Sequence, residues 1–184
     1  MAEEAFDEYL PAVGAVAGLS VRVDEALQVA ALRYFALDGE FAEAVHEVTG
    51  LALPQPQQAL TAPDGQLILA WRSPTETVCL AADPARLVQI AARLAGLADG
   101  CFVNLSCGLK IARVSGTRVS ELLCRLGGTG SIPRPGEARR SRMADVPVLA
   151  VSLTAGETLL MVDRAYTEHL MGWIRETLLD FADA

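Results

Sequence analysis

LAWRSPTETVCLAADPARL, residues 69–87, and LAVSLTAGETLLMVDRAYTEHL, residues 149–170, lie over one another, and that overlay decides the fold. Each contains two short apolar runs separated by a polar break, followed by the opening of an amphipathic helix. An internal repeat of this kind means that one supersecondary unit occurs twice, so the chain looks duplicated.

Working outward, LQVAALRYF (27–35) reads as a strand and DGEFAEAVHEV (38–48) as a helix presenting Phe41, Val45 and Val48. The Pro-rich LALPQPQQALTAPDG (51–65) is a connection, and QLILAWR and ETVCLAA form a hairpin around SPT (73–75). Asp83 caps the next helix with Pro84 at its first position, and Leu87, Ile90, Leu94 and Leu97 form its apolar stripe. FVNLS (102–106) joins the two halves. The second unit then runs through a strand GLKIARVSG (108–116), a helix TRVSELLCRL (117–126) carrying Val119, Leu122, Leu123 and Leu126, and a Gly/Pro connection GGTGSIPRPGE (127–137). It finishes with a hairpin of VPVLAVSL (146–153) and ETLLMVD (157–163) and a closing helix, residues 164–181, with Tyr166, Leu170, Trp173, Ile174, Leu178 and Phe181 along one face. LALP (51–54) is laid over IPRP (132–135).

A repeated β-α-β-β-α order predicts an α+β fold of two pseudo-repeated ferredoxin-like halves with antiparallel sheets and helices packed on one face. The expected organisation is an irregular lead, residues 1–18, and a single domain, 19–184, built of halves 19–106 and 107–184.

The hydrophobic fraction of 52% against 21% charged residues predicts a compact domain with apolar surface left over for a partner. A net charge of −8, with Lys110 the one lysine among fifteen basic residues, argues against nucleic acid and anionic membranes. MAEEAFDEYL lacks a basic leader, and AVGAVAGL is too short and Gly-broken to span a bilayer, so a cytoplasmic protein is expected.

The search for chemistry finds no catalytic, cofactor-binding or metal-binding set. Cys79, Cys101, Cys107 and Cys124 contain no C-x-x-C pair and lie far from His46 and His169, so they are read as free, mostly buried thiols. Cys107 as a nucleophile needs a base that its neighbourhood lacks, and is read as a small buried residue in a Cys-Gly turn. His46, near Glu43 and Glu47, and His169, beside Glu168, read as residues of solvated helix faces. GGTGS (127–131) follows a helix and reads as a C-cap; a phosphate loop would have to open one. The dense positive segment RPGEARRSR, with Arg134, Arg139, Arg140 and Arg142, is a solvated strand or loop, or a docking surface for carboxylates.

Taken in order, LALP (51–54), SPTETVCLAA (73–82), FVNLSCGLKIARVSG (102–116) and AYTEHLMGWI (165–174) resemble the gamma-subunit family of heterotetrameric sarcosine oxidase, within the wider aminomethyltransferase-like group. The resemblance covers nearly everything from Ser20 onward. The chain departs from the family at GGTGSIPRP and at Glu76-Thr77, where the family carries a Cys-x-Leu-Asp-Leu-His-Pro stretch and a Glu-Trp pair. The resemblance implies a non-catalytic structural subunit that binds no cofactor itself. Its expected partners are alpha, beta and delta subunits carrying FAD, FMN, NAD, tetrahydrofolate and zinc. It implies oxidative demethylation of sarcosine or a related N-methyl amine, with transfer of the one-carbon unit to tetrahydrofolate. Folate chemistry by the chain alone is disfavoured, because Asp145 is the single carboxylate before the second hairpin. The alternatives are a stand-alone folate-binding aminomethyltransferase-like protein and a regulatory module that binds a small metabolite.

Overall fold

The computed structural model describes residues 14–182. The first repeat runs β3 (Gln28–Tyr34), α1 (Glu40–Thr49), β4 (Ala59–Thr61), β5 (Leu67–Ser73), β6 (Glu76–Ala81), α2 (Pro84–Leu94) and β7 (Gly100–Asn104), after an N-terminal pair, β1 (Gly14–Val16) and β2 (Leu19–Val23). The second runs β8 (Leu109–Gly116), α3 (Val119–Gly127), β9 (Ala138–Met143), β10 (Val146–Thr154), β11 (Glu157–Asp163) and α4 (Thr167–Ala182). The fold is α+β with two antiparallel sheets, ordered β4-β5-β6-β3-β7 and β1-β2-β8-β11-β10-β9.

The two sheets pack face to face, and each carries its helices on the outside. Strand alternation explains why. In β5, Leu67 and Leu69 face α1 and α2, while Ile68 and Ala70 face the other sheet. In β11, Leu160 and Val162 face α3 and α4, while Leu159 and Met161 meet the first sheet. Both faces of the central strands are therefore apolar, which is why QLILAWR and ETLLMVD read as nearly continuous hydrophobic runs. Asp83 does cap α2, its carboxylate accepting the Ala85 N–H at 2.9 Å. The N-terminus of α1 is capped from far away: Gly39 offers no side chain, and the Asp99 carboxylate accepts the Phe41 N–H at 3.0 Å.

Four expectations are corrected. First, residues 14–18 are not an irregular lead: β1 and β2 form a hairpin through Ala17 and Gly18, while the rest of that expected segment lies outside the described residues. Second, β2 does not belong with the first half. It pairs antiparallel with β8, in the position that β7 takes beside β3. The first sheet therefore draws on residues 28–104 and the second on 14–23 and 109–163.

Third, the repeat aligns differently. Turn chemistry fixes it: Gln55-Pro56-Gln57-Gln58 and Arg134-Pro135-Gly136-Glu137 are the same turn, with Pro second and a left-handed residue third, Gln57 at φ 63° and Gly136 at φ 77°. Each is closed by a 2.9 Å backbone bond from its fourth residue to its first. The fourth side chain also accepts the first residue's N–H, at 2.9 Å for Gln58 and 3.0 Å for Glu137. It is thus Leu53-Pro54-Gln55-Pro56, not LALP, that matches IPRP. The two turns also bond each other about a local dyad, Ala59 N–H to Gly136 O at 2.7 Å and Ala138 N–H to Gln57 O at 2.8 Å. The hairpins follow suit. Trp71 and Ser152 donate equivalent bonds to Gln58 and Glu137, and each hairpin has one bulge, between Trp71 and Ser73 or between Ser152 and Thr154. Residue 71 therefore matches 152, one place from the overlay read on sequence identity.

Fourth, the closing helix starts at Thr167, after a 3-10 turn over Arg164–Tyr166. Leu170, Ile174, Leu178 and Phe181 are buried as expected, with Met171. Tyr166, in the 3-10 turn before the helix, is 45% exposed, and Trp173 is 54% exposed because it lies roughly 100° off the axis of that stripe.

The matched turns carry a prediction. Gln57→Gly should raise stability by up to about 1 kcal/mol, because a side-chain-bearing residue pays for left-handed φ, and Gly136→Ala should lower it by about 1 kcal/mol. Urea denaturation of the two variants checks both signs; equal effects would show that turn strain is not what separates the repeats.

Candidate functional site

A cleft of about 230 Å³ opens between the two sheets, lined by residues of both. Its floor is Val78 from the first sheet with Leu149 and Met161 from the second, all buried. Leu109, Pro147 and Val148 widen it, and Arg72, Arg140, Asp163 and Tyr166 form the walls and rim. Strand register puts the two arginines there. Arg72 extends the inner face of β5 beyond Ile68 and Ala70, and Arg140 lies opposite Leu149, two residues on from buried Ala138.

The walls differ in charge state and in freedom. Arg72 is paired with Glu76 at 2.8 Å, and Glu76 also takes Arg33 at 2.8 Å. Asp163 is engaged by the Ala165 N–H at 3.0 Å, capping the turn before α4. The Arg140 guanidinium has no ion pair or hydrogen bond among the described residues.

The positive segment therefore divides. Arg139 bonds Glu137 at 3.2 Å and the Gly130 carbonyl at 3.3 Å; Arg142 bonds the Asp145 carbonyl; Arg134 contributes its backbone N–H to Glu137. It forms an edge strand, β9, with Arg140 turned into the cleft. Period-two reading of ARRSRM and QLILAWR carried the signal for Arg72 and Arg140, but only once both faces are known to be internal.

The thiols split as well. Cys79 is buried, and burial pushes it up to about 12. Cys124 is half-buried, whereas Cys101 and Cys107 are exposed, correcting the expectation of mostly buried thiols. Cys107 sits at the tip of the turn while its neighbour Ser106 does the structural work. The Ser106 hydroxyl accepts the Val29 N–H at 3.0 Å and donates to the Val29 carbonyl at 3.2 Å. The turn is thus clamped to β3 with Cys107 pointing away because the clamp faces inward. His46 is exposed on α1, and exposed His169 donates from Nε2 to the Ala144 carbonyl at 2.8 Å. Gly128 caps α3, its N–H reaching the Cys124 carbonyl at 2.7 Å. Among the described residues no group of three or more His, Cys, Asp or Glu is placed to hold a metal ion, and no helix is long and apolar enough to cross a membrane.

Three surface carboxyls lie below their ordinary range. Glu137 is lowered by the Arg134 N–H and then Arg139, Glu121 by Arg118 and then Arg125, and Asp64 by the Gln66 N–H and then Arg86. A carboxyl depressed in the folded state contributes stability that is fully present above its unfolded value and lost as pH falls through the folded one. The melting temperature should therefore stay flat from neutral pH to about 5 and fall below about 4.5. Glu137→Gln should shallow that acid limb; an unchanged limb would remove Glu137 from it.

No protein-family model matches the chain, and no curated protein sequence matches it. Solved structures do. The fold is shared with a chain of the heterotetrameric sarcosine oxidase of Corynebacterium sp. U-96, with a TM-score of 0.81, 19% identity, and 98% of this chain and 93% of that chain covered. The glycine cleavage system aminomethyltransferase T of Bartonella henselae matches with a TM-score of 0.60 and 15% identity over 91% of this chain. The chain spans 48% of that enzyme's length.

Proposed function

We propose that this chain is a non-catalytic, gamma-type structural subunit of a heterotetrameric flavoprotein that oxidises sarcosine or a related N-methyl amine. The observation that carries the reading is the mutual, nearly complete coverage with a sarcosine oxidase chain, against coverage of under half of the aminomethyltransferase. The turn that the Ser106 hydroxyl fixes to β3 also supports a scaffold role for this segment. On this reading FAD, FMN, NAD, tetrahydrofolate and zinc belong to alpha, beta and delta partners, and the demethylation and one-carbon transfer occur on them.

The test is mild affinity purification of the tagged chain from its host, with mass spectrometry and an absorbance spectrum of the eluate. Larger subunits with a flavin spectrum and sarcosine-dependent oxygen uptake are the expected result. A colourless, partner-free protein, or a complex fully active without the chain, would overturn the reading.

The outer face of α4 offers such a partner an anchor: Trp173 stands exposed in an open groove with Ala165, Gly172 and His169, between Glu168 and Glu176. Exposed tryptophans at protein contacts are frequent hot spots. Trp173→Ala should weaken retention of the flavin-bearing subunits roughly 30-fold, the equivalent of about 2 kcal/mol, while changing the stability of the isolated chain by less than about 0.5 kcal/mol. Undiminished co-purification would take α4 out of the interface.

A further inference from the structure

We infer that the cleft between the two sheets is a binding site for a small organic monocarboxylate with an apolar body, its carboxylate taken by Arg140. The inference is independent of the subunit assignment and concerns this chain's own residues.

The cleft combines two features that a solvated edge lacks. Its floor of Val78, Leu149 and Met161 belongs to the buried inter-sheet layer, so the apolar surface that a ligand would remove from water comes chiefly from the more exposed Leu109 and Pro147 beside that floor. Its walls bring guanidinium groups from opposite sheets into one opening of a protein whose net charge is −8. Arg72 is already paired with Glu76, whereas among the described residues nothing engages the donors of Arg140. A planar guanidinium at the end of an apolar slot selects a carboxylate, which it can bind through two parallel N–H···O bonds. Leu109 and Pro147 then favour an apolar body on the rest of the molecule.

Size narrows the class. A volume of about 230 Å³ is the liquid share of about eight waters, which suits a body of roughly ten heavy atoms and not a dinucleotide. Asp163 and Tyr166 at the rim complete the chemistry. Asp163 disfavours a second negative charge near the mouth, so a monocarboxylate fits better than a dicarboxylate.

The competing role for Arg140 is protection of an edge strand, since inward-pointing charges discourage edge-to-edge pairing. Lysine would serve that role equally well, because it keeps the charge, but it lacks the bidentate fork. The comparison therefore separates the two roles.

The experiment is titration of the full chain with benzoate, phenylacetate and hexanoate, each beside its neutral amide, by calorimetry and by methyl NMR of Val78, Leu149 and Met161. At least one acid should bind below 1 mM and shift those methyls, with its amide at least tenfold weaker. Arg140→Gln should weaken the acid at least tenfold and Arg140→Lys severalfold, with melting temperatures near that of the parent because Arg140 is exposed. No binding by any of the three acids at 1 mM, or binding that Arg140→Gln leaves unchanged, would overturn the site. Arg140→Lys binding as tightly as the parent would do the same for the bidentate contact. Aggregation of Arg140→Gln with loss of nothing but solubility would assign Arg140 to edge protection instead.

Discussion

Gly116→Ala should cost more than about 3 kcal/mol and lower the melting temperature by about 6–12 °C. Gly116 ends β8 opposite Leu19, where the N-terminal hairpin joins the second sheet. A Cβ there would come within 2.1 Å of the Gly18 carbonyl oxygen, 2.7 Å of its carbon and 3.0 Å of the Leu19 Cα. All three are backbone atoms, so no rotamer change relieves the clash. The residue also has φ 130°, which an L side chain disfavours. Strain of about 1–3 kcal/mol and overpacking of about 1–3 kcal/mol together span about 2–6 kcal/mol, and contacts with backbone that no rotamer relieves put the loss above the bottom of that range. Gly50→Ala is the control: its φ is 74°, with nothing within 4 Å of the added carbon, so it should cost about 1 kcal/mol. Urea denaturation of the two variants decides the matter. Equal losses would mean that close approach at Gly116 is not what seats the hairpin.

That seam is also the part of the fold least legible in the sequence. The hairpins of both repeats, the Asp83-Pro84 helix start and the apolar stripes were legible, because each is specified by residues within a few positions of one another. β1 and β2 were not. They are short and Gly-flanked; β1 pairs with β2 alone, and β2 is tied to the sheet by β8, about ninety residues further along, so distant pairing seats the hairpin. β9 was obscured for another reason: ARRSRM is an edge strand whose arginines mask the buried Ala138 and Met143. The repeat itself is legible, but the Leu-Ala identity places its hairpins one residue out of register. The turn chemistry at Gln57 and Gly136 sets the correct register, which sequence identity alone does not reveal.

The cleft was legible only in pieces. In the sequence Arg140 belongs to a charged run and Arg72 to a hairpin. Their meeting depends on the two sheets packing face to face, which the repeat does not by itself dictate. Cys107 illustrates the converse: the local sequence drew attention to the thiol, whereas the residue that holds the turn is Ser106.

The second fastening of the hairpin is electrostatic, and its removal should be as damaging. Arg113 on β8 donates from Nε to Asp24, just beyond β2, at 2.7 Å and from its terminal nitrogen to Glu157 at the start of β11. Burial works against its charge, but hydrogen bonds and Coulomb attraction from Asp24 and Glu157 outweigh it, so its pKa is raised and the arginine stays charged. The Asp24 side chain is only 6% exposed. Arg113→Ala therefore strands a nearly buried carboxylate, and breaking a buried pair from one side costs about 3 kcal/mol. The loss lies at the lower end of that range because the Arg113 side chain is 20% exposed and Glu157 30%. If the stranded charge is the cause, Asp24→Asn added to Arg113→Ala should recover about 1–2 kcal/mol, since an uncharged amide is cheaper to leave in that position. A double-mutant cycle by urea denaturation measures this. A single-variant loss under about 1 kcal/mol, or no recovery in the double variant, would reduce the Arg113 cluster to a surface pair and leave the backbone fit at Gly116 as the main fastening of the N-terminal hairpin.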